Sequence, residues 1–346
     1  MIYFAYPGDI DTPTGGYHYD RRLIDELRSI GVRVETVALP HCSMAPNQKI
    51  LASVQKIFAA IPDQAIVVID GLAFGVLDEM AVAEAKRLRL VALCHHPLAL
   101  ETGLDEPERR ALMVSERRAL SCALATVVTS AHTRQILIDQ FAVPAARIIV
   151  ALPGTDRVPF ASCDGDPIRL LTVASLTRRK AHDVIIDALA PLKSISWQSR
   201  FVGGKDFDPA WAAGLEKRVN LLGLSPRIQF VGSVENTQVE YQQADVFVLP
   251  SRFEGYGMVF AEALAAGLPV LAARSGAVPD VVPETAGLLV APDDTQALTE
   301  ALRQILTSEA LRRRLQAGAR QAAATLPTWT DAATIVALKL EEVSSS

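Results

Sequence analysis

Residues 246–277 read VFVLPSRFEGYGMVFAEALAAGLPVLAARSGA. The first five residues are an apolar run with the look of a buried parallel strand. A polar turn follows, Ser251-Arg252-Phe253-Glu254-Gly255-Tyr256-Gly257. A helical pattern then runs over 258–266 and stops at Gly267 and Pro269. A second strand over 270–273 ends in another loop, 274–277. Two strand exits thus lie side by side, and one of them opens a helix. In doubly wound α/β sheets that is where ligands bind.

The residue types of the turn suit a phosphate. Gly255 and Gly257 let the backbone approach a ligand closely. The helix start at Met258 and Val259 offers N–H groups and the positive end of a helix dipole. Two carboxylates flank it, Glu254 in the turn and Glu262 in the helix. Glu262 lies four residues after Met258, so it shares a face with the helix start. It suits ribose or sugar hydroxyls rather than the phosphate itself. Its neighbours Val259, Phe260, Ala261, Ala263, Leu264, Ala265 and Ala266 are apolar, and a charge among them needs a partner.

The segment EGYGMVFAEALAAGLPV, with Glu254 and Glu262 eight positions apart, resembles the signature of family 4 of the retaining nucleotide-sugar glycosyltransferases (glycosyl transferases group 1). The resemblance implies the GT-B architecture. This is an α/β fold of two Rossmann-like domains with parallel sheets facing a central cleft. It implies a nucleotide-sugar donor bound by the second domain, Tyr256 among the donor contacts, and an acceptor bound by the first.

Composition agrees with such a chain. A length of 346 residues allows two domains with separate cores, and 50% hydrophobic content with only 6% aromatics suits alternating strands and helices. A net charge of −5 carries no nucleic-acid footprint. Cys42, Cys94, Cys122 and Cys163 are scattered without metal-type or disulfide spacing, which fits a reducing cytoplasm. The start MIYFAYPGDID has no basic region and no long apolar run, so it does not read as a signal peptide.

Residues 1–157 read as the first Rossmann-like domain. Strand 1–6 leads through a glycine-bearing loop, Gly15-Gly16, into helix 17–30. The resemblance places paired glycines here near the donor phosphates and acceptor; the residues alone allow an ordinary tight turn. Strand 90–94 ends at His95-His96. Neighbours on an extended strand point opposite ways, so one imidazole is expected at the ligand end of the sheet. The resemblance favours His96, near the transferred sugar. Helix 108–124 carries Arg109, Arg110, Arg117 and Arg118. That face suits a membrane surface, giving a peripheral location, or a phosphorylated acceptor, or else solvent, with the arginines paired to Glu106, Glu108 and Glu116.

Residues 158–167 read as a linker and 168–328 as the second domain. Strand 169–174 runs into Ser175-Leu176-Thr177-Arg178-Arg179-Lys180 ahead of helix 181–192. Three cations at a helix start oppose the dipole and make sense with a bound anion. Lys180 matches the family's phosphate-binding lysine. The family's arginine five residues earlier is Ser175 here, which leaves Arg179 or Arg178 to supply that charge. Gly203-Gly204, after strand 200–202, is expected to approach the nucleotide. Residues 329–346 read as a helix crossing back to the first domain.

The expected chemistry is sugar transfer with retained configuration, His96, Lys180 and Glu254 acting at the reacting centre. Gly15, Gly16, Arg179, Gly203, Gly204, Gly255, Tyr256, Gly257, Met258, Val259 and Glu262 would bind the donor. No metal is expected, because cations and helix ends serve the phosphate. The Asp-x-Asp matches at Asp9, Asp164 and Asp206 sit away from those elements. The alternatives are a sugar-nucleotide epimerase or hydrolase on the same architecture, and a catalytically silent nucleotide-binding protein. A nicotinamide dehydrogenase is disfavoured, since no strand leads into Gly-x-Gly-x-x-Gly. The nucleotide base, the sugar, the acceptor and the oligomeric state are not legible.

Overall fold

The computed structural model, which describes residues 1–42 and 44–345, turns the short apolar runs into two six-stranded parallel sheets. The chain divides into one unit of residues 1–154 with 327–346, and a second of residues 155–326. Residues 151–166 between the sheets have no regular structure. The expected linker, 158–167, overlaps this stretch. The final residue of the expected 329–346 segment lies outside the described residues.

The first sheet contains β1 (Ile2–Pro7), β2 (Val34–Leu39), β3 (Ile66–Asp70), β4 (Arg89–Cys94), β5 (Ala125–Val128) and β6 (Ile148–Val150). Their order is β2-β1-β3-β4-β5-β6. Central β3, IVVID, is buried throughout, as an unbroken apolar run in a parallel sheet should be. β2 lies at the edge, and most of its residues are exposed or half-buried. Going from β1 out to β2 and back to β3 creates a reversal between β1 and β3. The second sheet contains β7 (Ile168–Val173), β8 (Trp197–Val202), β9 (Ile228–Gly232), β10 (Val246–Leu249), β11 (Val270–Ala273) and β12 (Gly287–Val290). Its order is β12-β11-β10-β7-β8-β9, with the reversal between β7 and β10. Both reversals are topological switch points.

Period-two alternation splits the core of the second unit in two. Leu170, Val246, Val248 and Leu271 join the apolar cluster on one face of the sheet. Leu171, Phe247, Leu249, Val270 and Ala272 join the cluster on the other. Five helices bear on the ligand ends of the sheets: α1 (Gly15–Ser29), α2 (Glu106–Cys122), α3 (His182–Leu189), α4 (Met258–Ala265) and α5 (Trp329–Ser345). Two helices differ from expectation for local reasons. α1 begins at Gly15 because the Thr14 side chain caps it, accepting from Tyr17 N–H at 3.3 Å. The helix expected over 181–192 is shortened to α3. Ala181 takes a left-handed conformation (φ 53°) ahead of it, and a 3-10 turn containing Pro191 follows. Beyond the expected loop 274–277 the chain forms a short helix, Val278–Val281.

α5 packs on α1 within the first unit. Its Trp329 is 5% exposed, with its ring edge-on to Tyr19 at 5.7 Å and to His18 at 5.9 Å, under the Arg22 guanidinium at 5.0 Å. A side chain on Gly154 would collide with the Trp329 backbone. Trp329→Ala is therefore expected to cost about 3–5 kcal/mol of first-unit stability, read as a lowered urea midpoint at unchanged slope.

Candidate active site

Three loops meet at the switch point of the second unit. The loop after β7 carries Arg178, Arg179 and Lys180; the loop after β10 carries Glu254; the loop after β11 carries Ser275 and Gly276. Glu254 is 4% exposed. The Lys180 ammonium donates to Glu254 Oε1 at 2.6 Å, and Arg179 Nη1 donates to Oε2 at 3.3 Å and to the Phe253 carbonyl at 3.0 Å. Burial alone would raise this carboxyl, but the Lys180 and Arg179 charges outweigh it and hold Glu254 down at about 2.

Arg252 clamps the same loops. It donates to Asp183 at 2.9 Å and Asp293 at 2.7 Å, and to the Arg178 carbonyl. Its own N–H donates to the Arg179 carbonyl at 2.8 Å, and its carbonyl accepts from Ser275 Oγ at 2.5 Å. Gly276 sits at φ 57°, and a Cβ there would strike the Glu254 carbonyl. α3 and α4 both open here from left-handed residues, Ala181 and Gly257 (φ 86°), with no side-chain cap. A Cβ on Gly257 would come within 2.5 Å of the Phe260 ring.

Several expected contacts take another form. Arg178 turns aside to lie over Trp211 at 4.5 Å, with Asp208 at 3.9 Å, so Arg179 is the arginine that joins Lys180. Tyr256 is 8% exposed inside the core cluster, and burial pushes its phenol up to about 12. Its side chain packs in the core. Gly203 approaches protein: a Cβ there would collide with the Ala174 carbonyl, and Gly204 accepts from Leu176 N–H at 2.9 Å. The two glycines back the basic loop. Met258 and Val259 pack partly against the core, and Gly255 lies in the turn before them. Glu262 finds its partner in Tyr241, whose hydroxyl donates to Oε2 at 2.8 Å. Burial nevertheless raises the Glu262 carboxyl. Sequence reasoning does not single out Tyr241, because its neighbours in 236–245 are mostly polar and its need of an acceptor follows only from its burial.

At the switch point of the first unit the histidines separate. His95, not His96, joins two buried carboxylates: Nε2 lies 2.9 Å from Asp20 Oδ1 and 3.6 Å from Asp70 Oδ2. These three groups bring ligand-type atoms within 4.8 Å of one another, the one such set among the described residues. His96 is half-buried on the same turn. Gly16 packs beside His95, its notional Cβ 3.3 Å from the ring, while a Cβ on Gly15 would meet nothing.

The arginines of α2 divide differently from the solvent reading. Arg110 pairs with Glu106 at 3.2 Å and Arg118 with Asp78 at 2.9 Å, while Arg117 donates to the Gln140 carbonyl. Glu116 pairs with none of them. It is 4% exposed and accepts from Leu98 and Ala99 N–H at 2.7 and 2.8 Å, fixing the turn that follows His96. No helix is long and apolar enough to cross a membrane among the described residues.

Residues 159–322 match the family described as glycosyl transferases group 1. The second unit is a group 1 domain. Among curated proteins, the chain is 37% identical over 131 residues to a lipopolysaccharide core biosynthesis mannosyltransferase LpsB of Rhizobium meliloti, covering 36% of this chain and 37% of that protein. It is 29% identical over 253 residues to a D-inositol 3-phosphate glycosyltransferase of Jonesia denitrificans, covering 66% and 59%. The chain thus spans roughly a third to three-fifths of the length of these relatives. Among solved structures, sucrose-phosphate synthase from Thermosynechococcus elongatus superposes with TM-score 0.83 at 23% identity over 100% of both chains. Anabaena HepE in complex with UDP-glucose superposes with TM-score 0.79 at 18% identity, again over 100% of both. These likenesses fix the fold as GT-B.

Within the group 1 domain, the buried Glu254 ties stability to pH. Its carboxyl sits near 2 against an ordinary 4.5, so its contribution is complete above pH 4.5 and lost as pH falls toward 2. The shift corresponds to about 3 kcal/mol. Glu254→Gln is expected to remove this acid-side loss and to destabilise the domain at pH 7 by about 3–5 kcal/mol, since Lys180 loses its partner. Denaturant titrations between pH 2 and 7 on both proteins check it. Parallel pH curves for the two would contradict the pairing.

Proposed function

We propose that this chain transfers a sugar from a nucleotide-sugar donor to a hydroxyl acceptor, with retained anomeric configuration. The observation that carries the reading is the Lys180–Arg179–Glu254 assembly at the switch point of a group 1 domain, between two helix ends that lack side-chain caps. In the reaction the bond from the anomeric carbon to the diphosphate oxygen breaks, and that carbon bonds to the acceptor oxygen. The acceptor proton passes to the leaving diphosphate. Negative charge grows on that diphosphate, and Lys180 with Arg179 stabilises it there. The N–H groups of Met258 and Val259 add the dipole end of α4. Glu262 receives ribose hydroxyls and Glu254 orients the cations. No metal is assigned to the phosphates, because protein charges serve them.

A second reading, hydrolysis or epimerisation of the sugar nucleotide, draws on Asp20, Asp70 and His95. These are titratable groups of the kind it needs, and the local sequence pattern does not reveal their meeting. One assay separates the readings: incubation with UDP-, GDP- and ADP-sugars, with and without candidate acceptors, following free nucleotide and glycosylated product. Transfer is expected, and it should persist in EDTA. Nucleotide release that is indifferent to every acceptor would favour hydrolysis. Complete loss in EDTA, restored by magnesium or manganese, would overturn the metal-free mechanism.

Lys180 tests the chemistry itself. It should hold the transition state more tightly than the bound donor. Lys180→Ala is expected to lower turnover at saturating donor about a hundredfold, with a smaller change in donor affinity. Turnover within about twofold of wild type would show that the phosphate is held elsewhere.

A further inference from the structure

The reversal of strand order between β1 and β3 puts the ligand end of the first sheet at the carboxyl ends of those strands. Three elements deliver polar side chains there. Asp20 comes from α1, Asp70 ends β3 and His95 follows β4. Both carboxylates are wholly buried, while the His95 side chain keeps 21% of its exposure. Asp20 Oδ2 is buried without a hydrogen-bond partner, and Asp70 Oδ1 accepts Leu72 N–H at 2.8 Å.

We infer that Asp20 and Asp70 are positioning residues of a ligand site in the first unit, and that they present His95 as a fixed, cationic hydrogen-bond donor to a hydroxyl or phosphoryl oxygen. Two carboxylates buried in contact need a positive partner or a proton. Within contact distance that partner is the imidazole, whose Nε2 lies 2.9 Å from Asp20 Oδ1. Among the described residues, Tyr17 and Tyr19 of α1 and Cys94 of β4 also lie against the cluster, all shifted upward and neutral at pH 7. None supplies a positive charge.

Burial alone would push His95 toward neutrality. The carboxylates reverse this and raise it to about 10. Burial and the Asp70 charge raise Asp20 to about 7 against the pull of His95. The ring is also fixed by packing. Tyr19 meets it edge-on at 5.2 Å, and Gly16 lies so close that a Cβ there would come within 3.3 Å of the ring. Glu116 holds the backbone of the same turn through Leu98 and Ala99. An imidazole kept in this state donates a hydrogen bond and does not act as a base.

That the oxygen belongs to a sugar nucleotide or its acceptor rests on the proposed transfer; the state of His95 does not. The test follows the full chain, with labelled histidine nitrogens, by NMR between pH 6 and 10. His95 is expected to remain an imidazolium at pH 8 and to become neutral by that pH in Asp20→Asn. With the donor that turns over fastest in the nucleotide-sugar panel, His95→Gln is expected to lower turnover about a hundredfold and Asp20→Asn about tenfold. A neutral His95 in the wild-type chain at pH 8 overturns the inference, whether or not Asp20→Asn folds. So does turnover of His95→Gln within twofold of wild type, or a greater loss in His96→Gln. Failure of every nucleotide sugar would instead sink the transfer reading, and the wild-type titration would still judge the cluster.

Discussion

A carboxylate cannot be buried at Glu254 unless cations come to it. That requirement organises the second unit's ligand end. Lys180 and Arg179 reach Glu254 from a loop 74 and 75 residues earlier in the chain, across the β7–β10 reversal. Once they are paired, the loops have little freedom left, and Arg252 and Gly276 remove more of it. The pairing also changes how the basic run reads. Three cations at a helix start look in sequence like a demand for an anion. In the folded protein, Glu254 partly meets the demand and Trp211 takes the third cation. The helix ends stay uncapped, so attraction for an anion persists at a site that is stable without one.

The first unit solves the inverse problem. There two acids are buried around one base, and His95 is the charge that makes Asp20 and Asp70 tolerable. Neither cluster is a property of one element. Each is made by the reversal of strand order, which brings the ends of sequence-distant strands together. Topology comes first, and the pairing of buried charge then selects which side chains stay there.

The difference between what the sequence shows and what it hides has the same origin. Parallel strands buried on both faces are unbroken apolar runs, so β3, β10 and β11 are visible in the letters. The position of the ligand end is set by where those runs stop. Pairings over long sequence separations leave no local pattern. The opposite-facing rule for neighbouring residues says that His95 and His96 diverge, but not which one meets charge; that depended on Asp20, 75 positions away. Glu116 looked like one acid among exposed arginines because α2 is polar on most faces, and only the folded turn after β4 supplies the two N–H groups that bury it. Tyr256 and Gly203 sit in motif-like surroundings, yet one serves the core and the other a backbone contact. A motif gives the place of a residue, while burial decides what its side chain can touch.

The serine at position 175 can be weighed on these terms. Where the family carries an arginine, Ser175 accepts Thr177 N–H at 2.8 Å and lies against the backbone near Gly203. Its side chain brings no charge to the assembly. The assembly then holds Lys180 and Arg179 against Glu254, one net positive charge, beside two helix ends of roughly half a charge each. Under the proposed transfer, a diphosphate leaving group gains charge as the sugar departs, so the donor set must favour the later state over the earlier one. Fixed dipoles and a cation already held by Glu254 need little rearrangement as that charge appears, which is the condition for preorganised stabilisation. The missing arginine therefore lowers the total charge without removing the preorganisation, because Arg179 is anchored to the same carboxylate that anchors Lys180.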